Sequence, residues 1–418
     1  PSLDEMVHVA SEMSRMKITK PLIIGGATTS KAHTAVKIAP CFDLDTVAYV
    51  TDASRAVGIA TSLLNREMKI KLTADLVSDY EKVRQRNRHR SPKSNTLNFQ
   101  EAVTNRHQIS WTNYRPVRPT FLGSKVFEDF PLEKLVPYID WTPFFIAWEL
   151  AGKYPNILSD GVVGESARQL FNDAQELLKD LIENKLLTAS AIVGFWPAFS
   201  NGEDILVYED ESREKVAATF HHLRQQMNKP NKQPNFCLSD YIAPASTGLN
   251  DFLGGFVVST GFGAEELAAR YENANDDYNA ILVKALADRL AEAFAEYLHE
   301  MVRKELWGYV TKESLSNEEL IREKYQGIRP APGYPACPDH TEKGSLFDLL
   351  NAQSSIGVRL TEHYAMLPAA SVSGFYFSHP EARYFGIGKI DQDQVESYAS
   401  RKGMTIKEAE RWLKPVLK

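Results

Sequence analysis

The stretch Lys284-Ala-Leu-Ala-Asp-Arg-Leu-Ala-Glu-Ala-Phe-Ala-Glu296 decides how this chain is read. It lies inside a run from Asp276 to Trp307 that holds no glycine or proline, and its alanines and leucines are strong helix formers. A helix of about eight turns is expected. So many small residues imply close packing against another element. Asp288 and Glu292, four apart on one face, have the spacing of a paired acid and base, but with Arg289 and Lys284 beside them a solvated face is the better reading.

Around this helix the chain mixes elements in no repeating order. Apolar positions from Ala167 to Leu187 follow one buried helical face, and Ile192 to Ala198 and Asp204 to Tyr208 read as antiparallel strands joined by a turn at Gly202. Further strands are expected at Ser371 to Phe377 and Tyr384 to Ile390, then helices at Asp393 to Arg401 and Thr405 to Leu413. That is an α+β pattern with a mainly antiparallel sheet flanked by helices. The N-terminal part differs. A helix from Leu3 to Met16, a strand Pro21 to Ile24 ending in Gly25-Gly26, a helix capped by Thr29 or Ser30, a strand Thr46 to Val50 and a helix from Ser54 to about Leu64 form an α/β fragment with parallel strands. It reads as the last third of a doubly wound domain. From Asp75 to Pro92 lysine, arginine and glutamate dominate, as in a solvated helix leading into a linker. The expected organisation is thus an α/β piece over 1–70, a linker or hinge over 71–95, and an α+β domain over 96–418.

The 418 residues carry a net charge of −6, with 43% hydrophobic and 24% charged residues, the balance of a globular protein. Nothing in that charge calls for a nucleic-acid partner, and no apolar run reaches the ~18 residues needed to span a membrane. The start, Pro1-Ser-Leu-Asp-Glu-Met6, has no secretory pattern and no initiator methionine, so it reads as a cut from something longer. Cys41, Cys237 and Cys337 are odd in number and far apart, which suggests neither a disulfide framework nor a cysteine zinc site and fits a reducing cytoplasm. His221 and His222, adjacent on an expected helix, would point in different directions, so no metal site is assigned.

The segment Gly327-Ile-Arg-Pro-Ala-Pro-Gly-Tyr-Pro-Ala-Cys-Pro-Asp-His-Thr-Glu-Lys343 cannot be regular structure, because its prolines remove backbone donors. It should form a rigid loop able to hold a ligand, with Arg329 offering a planar fork to a carboxylate and Gly333 allowing close backbone approach. Tyr138-Ile-Asp-Trp-Thr-Pro-Phe-Phe145 places Asp140 among aromatic rings, either to meet an ammonium or sulfonium group or to cap a helix with Thr142. Gly25-Gly-Ala-Thr-Thr-Ser30, between strand and helix, has the look of an anion-binding turn without the spacing of a P-loop or a dinucleotide fingerprint.

Taken together, Pro1–Met6, Leu22–Ile38, Tyr138–Phe145, Lys284–Glu300, Arg329–Pro335 and Asp339–Lys343 resemble cobalamin-dependent methionine synthase over essentially the whole chain. The resemblance implies the C-terminal part of that enzyme: the end of a Rossmann-like cobalamin-binding domain, then the activation domain. It implies a methyltransferase role in the cytoplasm, namely reductive methylation of cobalamin with S-adenosylmethionine. No catalytic residue and no protein metal ligand follows for this chain. Asp140 resembles the residue that meets the amino group of S-adenosylmethionine, Arg329 the one that meets its carboxylate, Ala331 and Gly333 those at the adenosyl part, and Tyr384 with Phe385 a tandem aromatic site. For cobalamin it implies a partial site from Ser2, Gly25, Gly26 and Ala53. The family's cobalt-ligating Asp-x-His-x-x-Gly motif is absent here. The homocysteine domain, where the family holds zinc, and the folate domain would be partners, as would an electron-donating flavoprotein such as flavodoxin or a diflavin reductase. Two alternatives stand beside this: a non-catalytic module that binds S-adenosylmethionine or docks a flavoprotein, and a doubly wound S-adenosylmethionine methyltransferase. The second is disfavoured because the strand-glycine-helix unit lies outside the domain that holds Arg329.

Overall fold

The computed structural model describes residues 2–25, 29–50, 53–89 and 96–418. The chain divides into two compact units, Pro1–Asn95 and Thr96–Lys418. Among the described residues no helix is long and apolar enough to cross a membrane.

In the first unit, the helix Ser2–Arg15 precedes strand β1 (Leu22–Gly25), which runs parallel to β2 (Val47–Val50) with Leu22 opposite Val47. The connection begins at Ser30, whose hydroxyl accepts the His33 backbone N–H and caps the short helix Lys31–His33. A wide helical turn, Thr34–Ile38, follows. Ala10, Ile24, Ile38, Phe42 and Val47 form the local core. The helix Ala53–Leu64 leads into a second one, Arg66–His89, which occupies most of the stretch expected as a linker over 71–95. Few apolar residues anchor this polar helix, yet Tyr80 is buried with its hydroxyl accepting the Tyr49 N–H at 3.0 Å, and Arg84 donates to the Ala35 carbonyl at 2.8 Å. A charge-rich sequence hides such anchors, because one tyrosine per several turns leaves no visible periodicity.

The second unit is built on a six-stranded sheet in the order β10-β7-β4-β5-β6, with β3 also paired to β4, every pairing antiparallel. Its strands are β3 (Gly123–Phe127), β4 (Thr188–Asn201), β5 (Asp204–Tyr208), β6 (Val216–His221), β7 (Asp251–Phe262) and β10 (Ser371–Tyr376). A separate small ribbon joins β8 (Arg359–Leu360) to β9 (Met366–Leu367). Alternation along β4 and β7 explains why both faces are covered. Ala191, Val193, Phe195, Phe252, Phe256 and Val258 enter one core, while Ile192, Trp196, Ala198, Leu253 and Val257 enter the other. The first face carries the helices Gly164–Glu183 and Asp277–Met301, the second the helices Glu342–Leu350 and Ala352–Ile356.

Two local expectations need correction. His221 ends strand β6 and is not helical; its Nδ1 lies 3.0 Å from Asp204, while His222 is fully enclosed and burial drives its pKa down to about 3. Tyr384 to Ile390 is not a strand. Gly386 and Gly388, the latter at φ 72°, break the extended run, and its Ile387 N–H goes to the Pro335 carbonyl at 2.9 Å instead of to a sheet partner.

The C-terminal helices Gln392–Lys402 and Ile406–Leu413 are stapled to the end of the proline-rich loop by a buried ionic cluster. Lys402 Nζ reaches Asp339 at 3.0 Å and Thr341 at 2.5 Å and also bonds Glu342, while the Tyr398 hydroxyl donates to Asp339 at 2.6 Å. Glu342 is 0% and Asp339 2% exposed, so Lys402 is what compensates two carboxylates removed from water. Lys402→Met is expected to destabilise the second unit by about 3–5 kcal/mol in urea denaturation; a loss below ~1 kcal/mol, the range of a surface pair, would show the staple to be dispensable.

Candidate functional site

The helix Asp277–Met301 has two characters around its circumference. Leu286, Leu290, Phe294 and Leu298 are buried in the core on the sheet, whereas Arg289, Glu292, Ala293 and Glu296, spaced three and four apart, line a groove. The loop Gly327–Lys343 forms the opposite wall. It is seated on the free edge of β10: Ile328 and Phe377 exchange backbone hydrogen bonds at 3.0 Å each, and the Phe375 N–H goes to the Pro330 carbonyl at 2.9 Å. Gly374 makes this seating possible, since a Cβ there would lie 2.8 Å from the Pro330 oxygen.

Two cavities open along this wall and share Glu292, Glu323 and Arg329. One, of about 480 Å³, is lined mostly by apolar and aromatic groups, among them Pro330, Ala331, Tyr334, Val372, Tyr384 and Phe385. The other, of about 290 Å³, is polar and adds Tyr138, Asp140, Arg289, Glu296 and Tyr325. Asp140 is placed by the helix Thr142–Ala147, where its Oδ1 accepts the Thr142 N–H at 2.9 Å. It therefore serves as a turn cap and as a cavity wall at once. Arg329 Nη2 bonds Glu296 at 2.6 Å, and the Arg329 backbone N–H donates to the Tyr384 hydroxyl at 3.0 Å.

Of the positions named from the sequence, Asp140, Arg329, Ala331, Tyr384 and Phe385 lie along these two cavities. Gly333 does not line either one; at φ 93° it shapes the loop, and a side chain there would collide with the His340 ring. The Tyr384 hydroxyl is committed to the Arg329 backbone and to Tyr325, 3.1 Å away, so its share in the wall is its ring. Glu292 is half-buried in the groove, against the expectation of a solvated face, and Asp288 is exposed. Sequence reasoning missed Glu296, Glu323, Arg289 and Tyr325. The signal for the first was present, since Glu292, Glu296 and Glu300 recur at helical spacing on a helix otherwise made of small and apolar residues.

In the first unit, Gly26 lies outside the described residues, and the side chains of Ser2 and Ala53 lie outside them as well. Gly25 ends β1, where a Cβ would fall 2.8 Å from Val50 Cγ2. A cavity of about 650 Å³ in this unit is lined by residues such as Phe42, Val47, Ile70, Val77 and Tyr80, and Gly25 is not on its wall. Among the described residues no group of histidine, cysteine, aspartate or glutamate could hold a metal ion.

The family model described as vitamin B12 dependent methionine synthase, activation domain, matches residues 131–403. A solved structure described as the MetH reactivation domain bound to AdoHcy is 52% identical, with a TM-score of 0.75 over 77% of this chain and 98% of its own. The family model covers Asp140, the long helix, the proline-rich loop and Tyr384 alike. This chain belongs to the vitamin B12-dependent methionine synthase activation domain family.

Proposed function

We propose that the groove binds S-adenosylmethionine and that the chain uses it to return oxidised cobalamin to methylcobalamin, the reactivation step of methionine synthase. The observation that carries this is the placement of Asp140 and Arg329, 189 positions apart in sequence, on one small polar cavity that opens beside a larger apolar one. Opposite charges in the polar cavity match the ammonium and carboxylate of an amino acid. The walls of Pro330, Ala331, Tyr334 and Phe385 suit a flat, weakly polar nucleoside. Glu292 and Glu323, common to both cavities, stand where the amino-acid end meets the nucleoside end, which is the position of the sulfonium. The AdoHcy bound in the similar structure supports the same ligand class.

Cobalamin enters this account as the methyl acceptor. The oxidised acceptor first takes an electron from a flavoprotein partner, flavodoxin or a diflavin reductase. Methyl transfer then breaks the carbon–sulfur bond, leaves its electron pair on sulfur as a neutral thioether, and gives the methyl group to the reduced acceptor. No proton moves, so no general base is required, and the groove acts by binding and orientation. In this reading the first unit is the end of the cobalamin-binding domain, and the homocysteine and folate domains of the enzyme are partners.

Calorimetric titration of the chain should show saturable binding of S-adenosylmethionine, weakened by about 2–5 kcal/mol in Arg329→Ala because the ligand carboxylate loses a buried charged partner. Asp140→Ala should weaken it in the same direction. Absence of saturable binding by folded wild-type chain would contradict the proposal. Supplied with a cobalamin-binding half and a reductant, the chain should form methylcobalamin with no acid or base limb in its pH profile between about 6 and 8, the interval in which a histidine general base would titrate.

A second outcome concerns charge. S-adenosylmethionine carries a sulfonium that S-adenosylhomocysteine lacks, so Glu292→Gln and Glu323→Gln should each weaken the first ligand more than the second, by about 3- to 10-fold in the ratio of affinities, as expected for a partly solvated charge pair. Equal weakening of both ligands would place these carboxylates away from the sulfur.

A further inference from the structure

We propose that Glu296 is a positioning residue whose carboxylate holds the Arg329 guanidinium away from Glu292 and Glu323, keeping the arginine available to the carboxylate of the bound ligand. This rests on the S-adenosylmethionine reading of the groove. Glu296 is 7% exposed and takes Arg329 Nη2 at 2.6 Å through Oε2. Its other oxygen, Oε1, has no hydrogen-bond partner among the described residues and lies 3.9 Å from Nη1 of Arg303. Arg303 is fully buried and cannot follow. Its Nε and Nη2 are committed to Glu313 at 2.9 and 2.7 Å, and the Tyr325 ring covers its guanidinium at 4.4 Å. Glu296 thus sits between two cations, which fixes it.

Arg329, by contrast, has a choice. Its backbone is pinned by the Tyr384 hydroxyl, leaving the direction of its long side chain as the free variable. The other carboxylates on the walls of these two cavities are Glu292, Glu323 and Asp140, the last already accepting the Thr142 N–H. Burial pushes the Glu323 carboxyl up while Arg329 pulls it down and Glu296 pushes it up, so these groups share one field. Without Glu296, the guanidinium would turn to one of those acids and be withdrawn from the ligand carboxylate. Reordering it on each binding event would cost free energy that the Glu296 pair now removes in advance.

The test titrates the full chain and its Glu296→Ala and Glu296→Gln variants with S-adenosylmethionine and with decarboxylated S-adenosylmethionine, which lacks only the group Arg329 would meet. Binding of S-adenosylmethionine by the wild type decides the proposed function; the ratio of the two affinities decides the role of Glu296. That ratio should fall about tenfold in Glu296→Ala, the cost of reordering one long side chain. It should fall by about threefold in Glu296→Gln, which keeps an acceptor for Nη2 without the charge and carries the test alone if the alanine variant does not fold. An unchanged or raised ratio, in either variant that still binds the decarboxylated ligand, would overturn the inference, because a merely structural loss weakens both ligands alike.

Discussion

The long helix Asp277–Met301 must satisfy two incompatible surroundings at once, and the second unit is arranged to let it. Its leucines and Phe294 are packed on the sheet, which requires that the opposite stripe, carrying Glu292, Glu296 and Glu300, be turned toward other protein. Carboxylates brought out of water need cations or hydrogen-bond donors. Arg329 lies 2.6 Å from Glu296 with Arg303 3.9 Å away on its other side, and Tyr138 and Lys304 reach Glu300 at 2.7 and 3.0 Å. The proline-rich loop is therefore held from both sides, by backbone bonds to β10 and by the ion pair from the helix. A groove results because neither contact fills the space between them.

That arrangement holds the loop at both of its ends. Proline removes the donors that would draw it into the sheet, the Ile328–Phe377 pairing fixes one end, and the Lys402 cluster fixes the other at Asp339 and Glu342. His299, fully buried between Tyr325 and Tyr376, is kept neutral, its pKa driven well below the usual value by burial and then by Arg303 and Arg329. An added positive charge behind Arg329 would weaken its hold on Glu296, so a histidine that stays neutral suits that position.

Much of this was legible in the sequence, for identifiable reasons. The helix was readable because alanine and leucine dominate without interruption, strands β4, β5 and β10 because turn residues separate apolar runs, and the loop because four prolines and Arg329 cannot belong to regular structure, whereas β3, β6 and the central β7 were not read. The run Tyr384 to Ile390 misled because its composition resembles a strand, while its Ile387 N–H goes to the loop and its Ile390 N–H to the Val416 carbonyl. Over 75–89 the helix itself was expected, but its anchor was not, as the buried Tyr80 is lost among charges. The site was half visible. Asp140 and Arg329 stood out against apolar or proline-rich neighbours, whereas Glu296 and Glu323 become meaningful only once the fold sets them beside Arg329 across a groove that no local spacing encodes.

The most direct test of the account is a crystal structure of this chain with S-adenosylhomocysteine bound. The amino-acid end is predicted to lie between Asp140 and Arg329, with sulfur near Glu292 and Glu323 and the nucleoside against Tyr334 and Phe385. Density for the ligand elsewhere, for example in the separate cavity of about 680 Å³ lined by Arg106, Trp111, Asn201 and Thr247, would contradict it.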